Sequence, residues 1–189
     1  MVYNTASMRF DDLVMSVNQV EGIYAGLPWF FHYWARDEAI SLIALLKDEQ
    51  YDLVKSILLR WLARPSDRVP NRFPHADLGS ADATGWLYFR LGELLEELKN
   101  KDCLKEYFSQ TELQSLYTAL VSRISAWMTK YMKDGLIHCK NLETWMDTGE
   151  LVGDVRSGAR IEIQCLFAAM LKTADILGRL LGKKQVFTS

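Results

Sequence analysis

Along the chain, apolar residues recur at helical spacing in six stretches. Phe10, Leu13, Val14 and Val17 stand at i, i+3, i+4 and i+7, predicting a first helix that Ser7 caps and that runs to about Val20. A second begins near Asp37, where Ile40, Leu42, Ile43, Leu45 and Leu46 make an apolar surface too broad for a helix with one solvent face, so it is read as interior. The third, about Gln50 to Ala63, puts Leu53, Val54, Ile57, Leu58 and Trp61 on one stripe with charges opposite, the pattern of an outer helix. Three more follow, over about Ser80–Lys99, Thr111–Met132 and Arg160–Leu181. Ser109 and Glu112 have the spacing of a capping box before the fifth, and Gly182 ends the sixth. No strand is expected.

Between these stretches lie three long polar segments, Glu21–Arg36, Arg64–Gly79 and Lys133–Ala159, the last opening on the turn signal Asp134-Gly135. The chain therefore reads as an all-α fold of about three outer–inner helical hairpins, one domain over residues 1–189. Each long loop precedes an inner helix. Polar groups then gather at the N-terminal ends of three inner helices, on one rim, where free backbone N–H groups add donors. An α/α toroid builds a pocket in this way.

Composition narrows the function classes. A length of 189 residues, 49% of them hydrophobic and 24% charged, suits one domain with a buried core. A net charge of −2 gives no basis for gripping a polyphosphate backbone, so nucleic acid is not an expected partner. Cys103, Cys139 and Cys165 form no CxxC pair, which implies neither a disulfide framework nor a zinc cluster and points to a reducing, cytoplasmic setting. No apolar run reaches the roughly 18 residues of a membrane span, and no leader opens the chain. No metal or cofactor is expected, because no ligand set stands at metal spacing.

Six tryptophans divide by context: Trp61, Trp86 and Trp127 fall in helical patterns and are read as core, whereas Trp29, Trp34 and Trp145 stand in loops among Pro, Gly and charges. In the first loop, Trp29 and Trp34 precede Arg36 and Asp37. Sugars offer C–H faces to aromatic rings and vicinal hydroxyls to groups that donate and accept. Read alone, however, Arg36-Asp37 is equally a helix-start charge with a surface ion pair. The second loop adds Asn71 and Arg72, with Asp82 just beyond it, where a rigid turn and an early-helix acid are the simpler reading. The third ends in Trp145-Met146-Asp147. Glycosidic hydrolysis needs a carboxylic acid whose pKa is raised so that it can protonate the leaving oxygen, and apolar neighbours raise it. An aspartate capping a turn near Gly149 fits the composition as well.

Taken in order, the segments Ala-Gly-Leu-Pro-Trp-Phe-Phe-His-Tyr-Trp-Ala-Arg-Asp (25–37), Val-Pro-Asn-Arg-Phe (69–73), Ser-Ala-Asp-Ala (80–83), Asp-Gly-Leu-Ile (134–137), Thr-Trp-Met-Asp (144–147) and Arg-Ile-Glu-Ile-Gln (160–164) resemble the catalytic domain of glycogen debranching enzymes, the amylo-α-1,6-glucosidase type. The resemblance spans about Ile23 to Leu171. It implies part of an (α/α)6 toroid similar to glucoamylases, glycogen or another branched α-glucan as substrate, and release of glucose from α-1,6 branch stubs with inversion. It makes Asp147 the general acid, Arg36 and Asp37 ligands of the terminal glucose, Trp29 and Trp34 walls of its pocket, and Asp82 and Glu162 polar residues around it. Asn71, Arg72 and Trp145 complete the substrate-binding candidates. Phe167-Ala168 stands where the family usually has Trp-Tyr, and Ala35 where it has Gly.

A six-hairpin toroid exceeds the hairpins counted here. The resemblance places a β-rich domain before residue 1 and the general base, a glutamate, beyond Ser189, so the remainder of the domain or another chain is expected to complete the toroid. Glu162, Asp82 and Glu143 are the carboxylates that a base would otherwise have to recruit. Two other readings stay open: a non-catalytic carbohydrate-binding or assembly subunit, and a glucoamylase- or trehalase-like hydrolase of another α-glucoside.

Overall fold

Five of the six predicted helices form where the periodicity places them. The computed structural model describes residues 10–17, 19–73, 79–146 and 156–183. In chain order the helices are α1 (Ala35–Lys47), α2 (Tyr51–Leu62), α3 (Ala81–Asn100), the single turn α4 (Leu104–Tyr107), α5 (Gln110–Lys130) and α6 (Ile161–Leu180). The capping box closes at the start of α5, where Ser109 Oγ accepts from Glu112 N and the Glu112 carboxylate accepts from Ser109 N. Gly182 ends α6 with a φ of 66°, the left-handed conformation that glycine adopts without a Cβ penalty.

The first predicted helix is a correction beyond its start: Phe10 and Asp11 are helical, the proposed cap Ser7 lies outside the described residues, and from Val14 on the chain is strand. Val14–Val17 (β1) and Val20–Gly26 (β2) form an antiparallel hairpin, which β3 (Phe30–Trp34) and β5 (Arg72–Phe73) extend to a four-stranded sheet in the order β1-β2-β3-β5. Phe10, Leu13, Val14 and Val17 do satisfy a helical template, but a distant residue overrides it. The Tyr33 hydroxyl bonds the carbonyls of Met15 and Val20 at 2.8 and 2.9 Å, and its ring lies over Gly22, where any Cβ would sit 2.7 Å from it. Two two-stranded ribbons also form, β4 (Val69–Pro70) with β6 (Gly79–Ser80) and β7 (Met132–Lys133) with β8 (Leu136–Ile137). Asp134 and Gly135, at φ 51° and 76°, make the turn of the latter, as their pairing in the sequence signals. Helices nonetheless carry the fold, and the arrangement is that of a partial helical toroid with small sheets attached.

Helix α3 lies at the centre, packed against α1, α2 and α6, while α5 packs on α6. Cross-contacts give the directions. Gly85 faces Leu166 and, seven residues on along both helices, Gly92 faces Thr173, so α3 and α6 run parallel in constant register. Arg36 reaches Asp82 and Arg90 reaches the carbonyl of Ala39, so α1 and α3 run parallel as well. The first turns of α1, α3 and α6 therefore share one rim. Below it the core holds Trp61 and Trp127, both fully buried, with Trp127 stacked on Phe167 at 6.0 Å and donating to the carbonyl of Asp67. Trp86 is only partly buried against this core. Phe167, where the family usually has Trp, thus belongs to the core stack, while Ala168 beside it is exposed.

Gly85 has a packing reason to be glycine. A Cβ there would stand 2.5 Å from the Leu166 Cβ and 3.4 Å from its Cα, so the two helices would have to move apart. Gly85→Ala is expected to cost about 1–3 kcal/mol despite the better helix propensity of alanine. Gly178→Ala, whose Cβ would meet nothing nearer than Tyr117 Cε2 at 3.5 Å, is expected to be neutral or stabilising. Equal urea midpoints for the two variants would show that the α3–α6 contact is loose.

Candidate functional site

The three motif loops are knitted together at the rim. Strand β5 of the second loop pairs with β3 of the first, Trp34 opposite Arg72 and Tyr33 opposite Phe73, and the carbonyl of Asn71 accepts from Ala35 N at 2.9 Å. The Arg72 guanidinium lies over the Trp34 ring, 5.8 Å from its centroid. The third loop docks on the start of α3 through the Glu143 carbonyl, which accepts from Ala81 N at 2.9 Å. Arg68 anchors it from beneath, binding the Glu143 carboxylate and donating to the His138 carbonyl at 3.0 Å. Arg68 is buried, and burial pushes its pKa below the ordinary arginine value.

A polar chain then runs across the rim from helix to helix. Arg36, in the first turn of α1, donates through Nε to Asp82 Oδ2 at 2.6 Å and through Nη2 to Asp82 Oδ1 at 3.1 Å. Asp82, in the first turn of α3 and 2% exposed, also accepts from Ser80 Oγ at 2.5 Å and from Ala83 N at 2.7 Å. The same Nη2 of Arg36 donates to the carbonyl of Thr144 at 2.7 Å. The buried hydroxyl of Thr144 accepts from Arg156 Nε at 3.2 Å, and Arg156 Nη2 binds the carboxylate of Glu162 in the first turn of α6. Asp82, Arg36, Thr144, Arg156 and Glu162 thus connect all three inner-helix starts through the third loop.

This geometry sorts the predicted residues. Arg36 and Asp82 meet as a bidentate, nearly buried pair, and Glu162 joins them at the far end of the same chain. Trp34 and Arg72 stack on each other, and the buried Trp34 Nε1 donor has no hydrogen-bond partner among the described residues. Asp37 follows Arg36 in the first turn of α1, and Asn71 is buried, with its carbonyl on Ala35 N. Trp145 directly follows Thr144 and is 56% exposed. Trp29 sits at the tip of the β2–β3 hairpin, 80% exposed and separated along β3 from Trp34. Asp147 lies outside the described residues.

Two members of the chain, Thr144 and Arg156, are absent from the sequence-based candidates. Thr144 opens the Thr-Trp-Met-Asp segment, but it carries no signal of its own, since threonine is ordinary in any loop. Arg156 stands six residues before Glu162 across the turn at Gly158, a spacing that no periodic template reads. The carboxylates considered as recruited bases are all engaged: Asp82 by Arg36, Glu143 by Arg68, and Glu162 by Arg156. Among the described residues, no helix is long and apolar enough to cross a membrane.

A family model described as amylo-alpha-1,6-glucosidase matches residues 6–188 of the chain. No curated protein matches it.

Proposed function

The chain belongs to the amylo-alpha-1,6-glucosidase family, and from that premise we propose that it supplies the general acid and most of the glucose-binding rim of an inverting debranching hydrolase acting on glycogen or a similar branched α-glucan in the cytoplasm. The observation that carries this reading is the polar chain from Asp82 to Glu162, which draws the three motif loops to the starts of parallel inner helices and sets Trp145 at their edge. A fixed guanidinium and exposed indoles suit a ring of hydroxyls with apolar C–H faces.

In the proposed reaction, the Asp147 carboxyl proton passes to the glycosidic oxygen as the bond from C1 to that oxygen breaks and its electron pair stays on the oxygen. Water adds to C1 from the opposite face and gives its proton to a second carboxylate, which inverts the configuration. Such enzymes hold the two carboxyl groups roughly 6.5–9.5 Å apart. Asp82, Glu143 and Glu162 are tied to arginines, which favours a base supplied by further helical hairpins that complete the toroid, from the remainder of the domain or from another chain.

The test is glucose release from α-1,6-branched limit dextrin, compared with α-1,4-linked maltooligosaccharides and trehalose, with the anomer followed by NMR. Release of β-glucose from the α-1,6 stub is expected. A preference for α-1,4 bonds or trehalose would move the protein to the glucoamylase or trehalase class. Glycan binding without release, even when the completing polypeptide is added, would make it a binding subunit.

A further inference from the structure

We propose that Arg156 is a positioning residue that holds the Trp145 ring as a preformed platform for sugar; the inference rests on the reading of Trp145 as part of the glucose site. The Arg156 guanidinium lies over the Trp145 ring, 5.0 Å from its centroid. An exposed indole on a loop ordinarily samples several rotamers, and a ligand that stacks on it must first select one. Here the cation covering the ring is itself held from two sides, by the buried hydroxyl of Thr144 and by the carboxylate of Glu162. The backbone around it is fixed too: the Arg156 carbonyl accepts from Cys139 Sγ at 3.3 Å, and Cys139 and Gly158 exchange two backbone hydrogen bonds at 3.0 and 2.8 Å.

One guanidinium thus meets a ring, a hydroxyl and a carboxylate at once. Its planar fork can do this; a lysine ammonium reaching Glu162 would leave the ring and Thr144 without a partner. With one face of the indole under the cation and 56% of the residue still exposed, an open surface remains for the apolar face of a glucose ring. Thr144 is also bound through its carbonyl to Arg36, so the platform is referenced to the Arg36–Asp82 pair across the rim.

The experiment is a double-mutant cycle on isomaltose binding by the chain, followed by calorimetry and by tryptophan fluorescence. Arg156→Ala is expected to weaken binding about 5- to 10-fold, a rotamer-ordering cost joined to the loss of the cation–π contact. Arg156→Lys is expected to recover little of it. In a Trp145→Ala background, Arg156→Ala is expected to change affinity less than twofold, because the residue would act through the indole. Equal losses in both backgrounds would overturn the proposal, as would an unchanged affinity on Arg156→Ala in the native background. If Trp145→Ala alone leaves affinity unchanged, or the unmodified chain binds no isomaltose, the underlying reading of the site fails instead. Should Arg156→Ala fail to fold, the lysine variant carries the same comparison.

Discussion

Asp82→Ala is expected to lower the unfolding free energy by about 3 kcal/mol, the range for removing one partner of a buried ion pair. The aspartate accepts two hydrogen bonds from Arg36, one from Ser80 Oγ and one from Ala83 N, and its loss takes both of those acceptors from a guanidinium only 12% exposed. The effect should spread to the third loop, because Arg36 also holds the Thr144 carbonyl. Urea unfolding of Asp82→Ala, Arg36→Met and an Asp82→Leu/Arg36→Met double variant separates the terms: the double variant is expected to be more stable than Asp82→Ala, since neither charge is then buried alone. A loss below about 1 kcal/mol for Asp82→Ala would remove this pair from the forces that hold the rim.

The largest effect on turnover is expected at Asp147. In the glucose-releasing protein, Asp147→Asn should lower kcat about 10³-fold, within the range for general acid catalysis, while KM stays near the wild-type value, because the amide keeps the shape of the acid without its transferable proton. Wild-type turnover should fall on the alkaline side as the acid ionises, and the residual activity of the variant should lack that limb. Steady-state rates on limit dextrin across pH measure both. Unchanged turnover would take the acid role away from Asp147.

The helices and the order of the motifs were legible because both are local. Apolar spacing placed α2, α3, α5 and α6 to within about two residues at each end and α1 at its start, and Ser109 with Glu112 marked a capping box that forms. The β1–β2 hairpin was not legible, since its decisive contacts come from Tyr33, thirteen and eighteen residues away from the carbonyls it binds. A short run of valines that also fits a helical face offers no local means of choosing.

At the site, residue types were legible and partners were not. Arg36 and Asp37 are neighbours in sequence, yet the carboxylate that receives the Arg36 fork is Asp82, forty-six positions on. Arg36 fixes both Asp82 and the Thr144 carbonyl, a role that the motif alone does not announce. Arg156 was missed for the same reason: its importance comes from three partners that converge only after α6 has packed on α3.

The glycine seam between α3 and α6 bears on the geometry of the rim. Gly85 lies one turn below Asp82, and the start of α6 holds Glu162 one turn above Leu166. The distance between these two helix axes, set by the absence of a single methyl group, fixes the span that Arg36, Thr144 and Arg156 must bridge. The spacing of the rim is therefore written in the packing underneath it, and a substitution at Gly85 or Leu166 would shift the helix starts relative to one another without altering any residue of the rim itself.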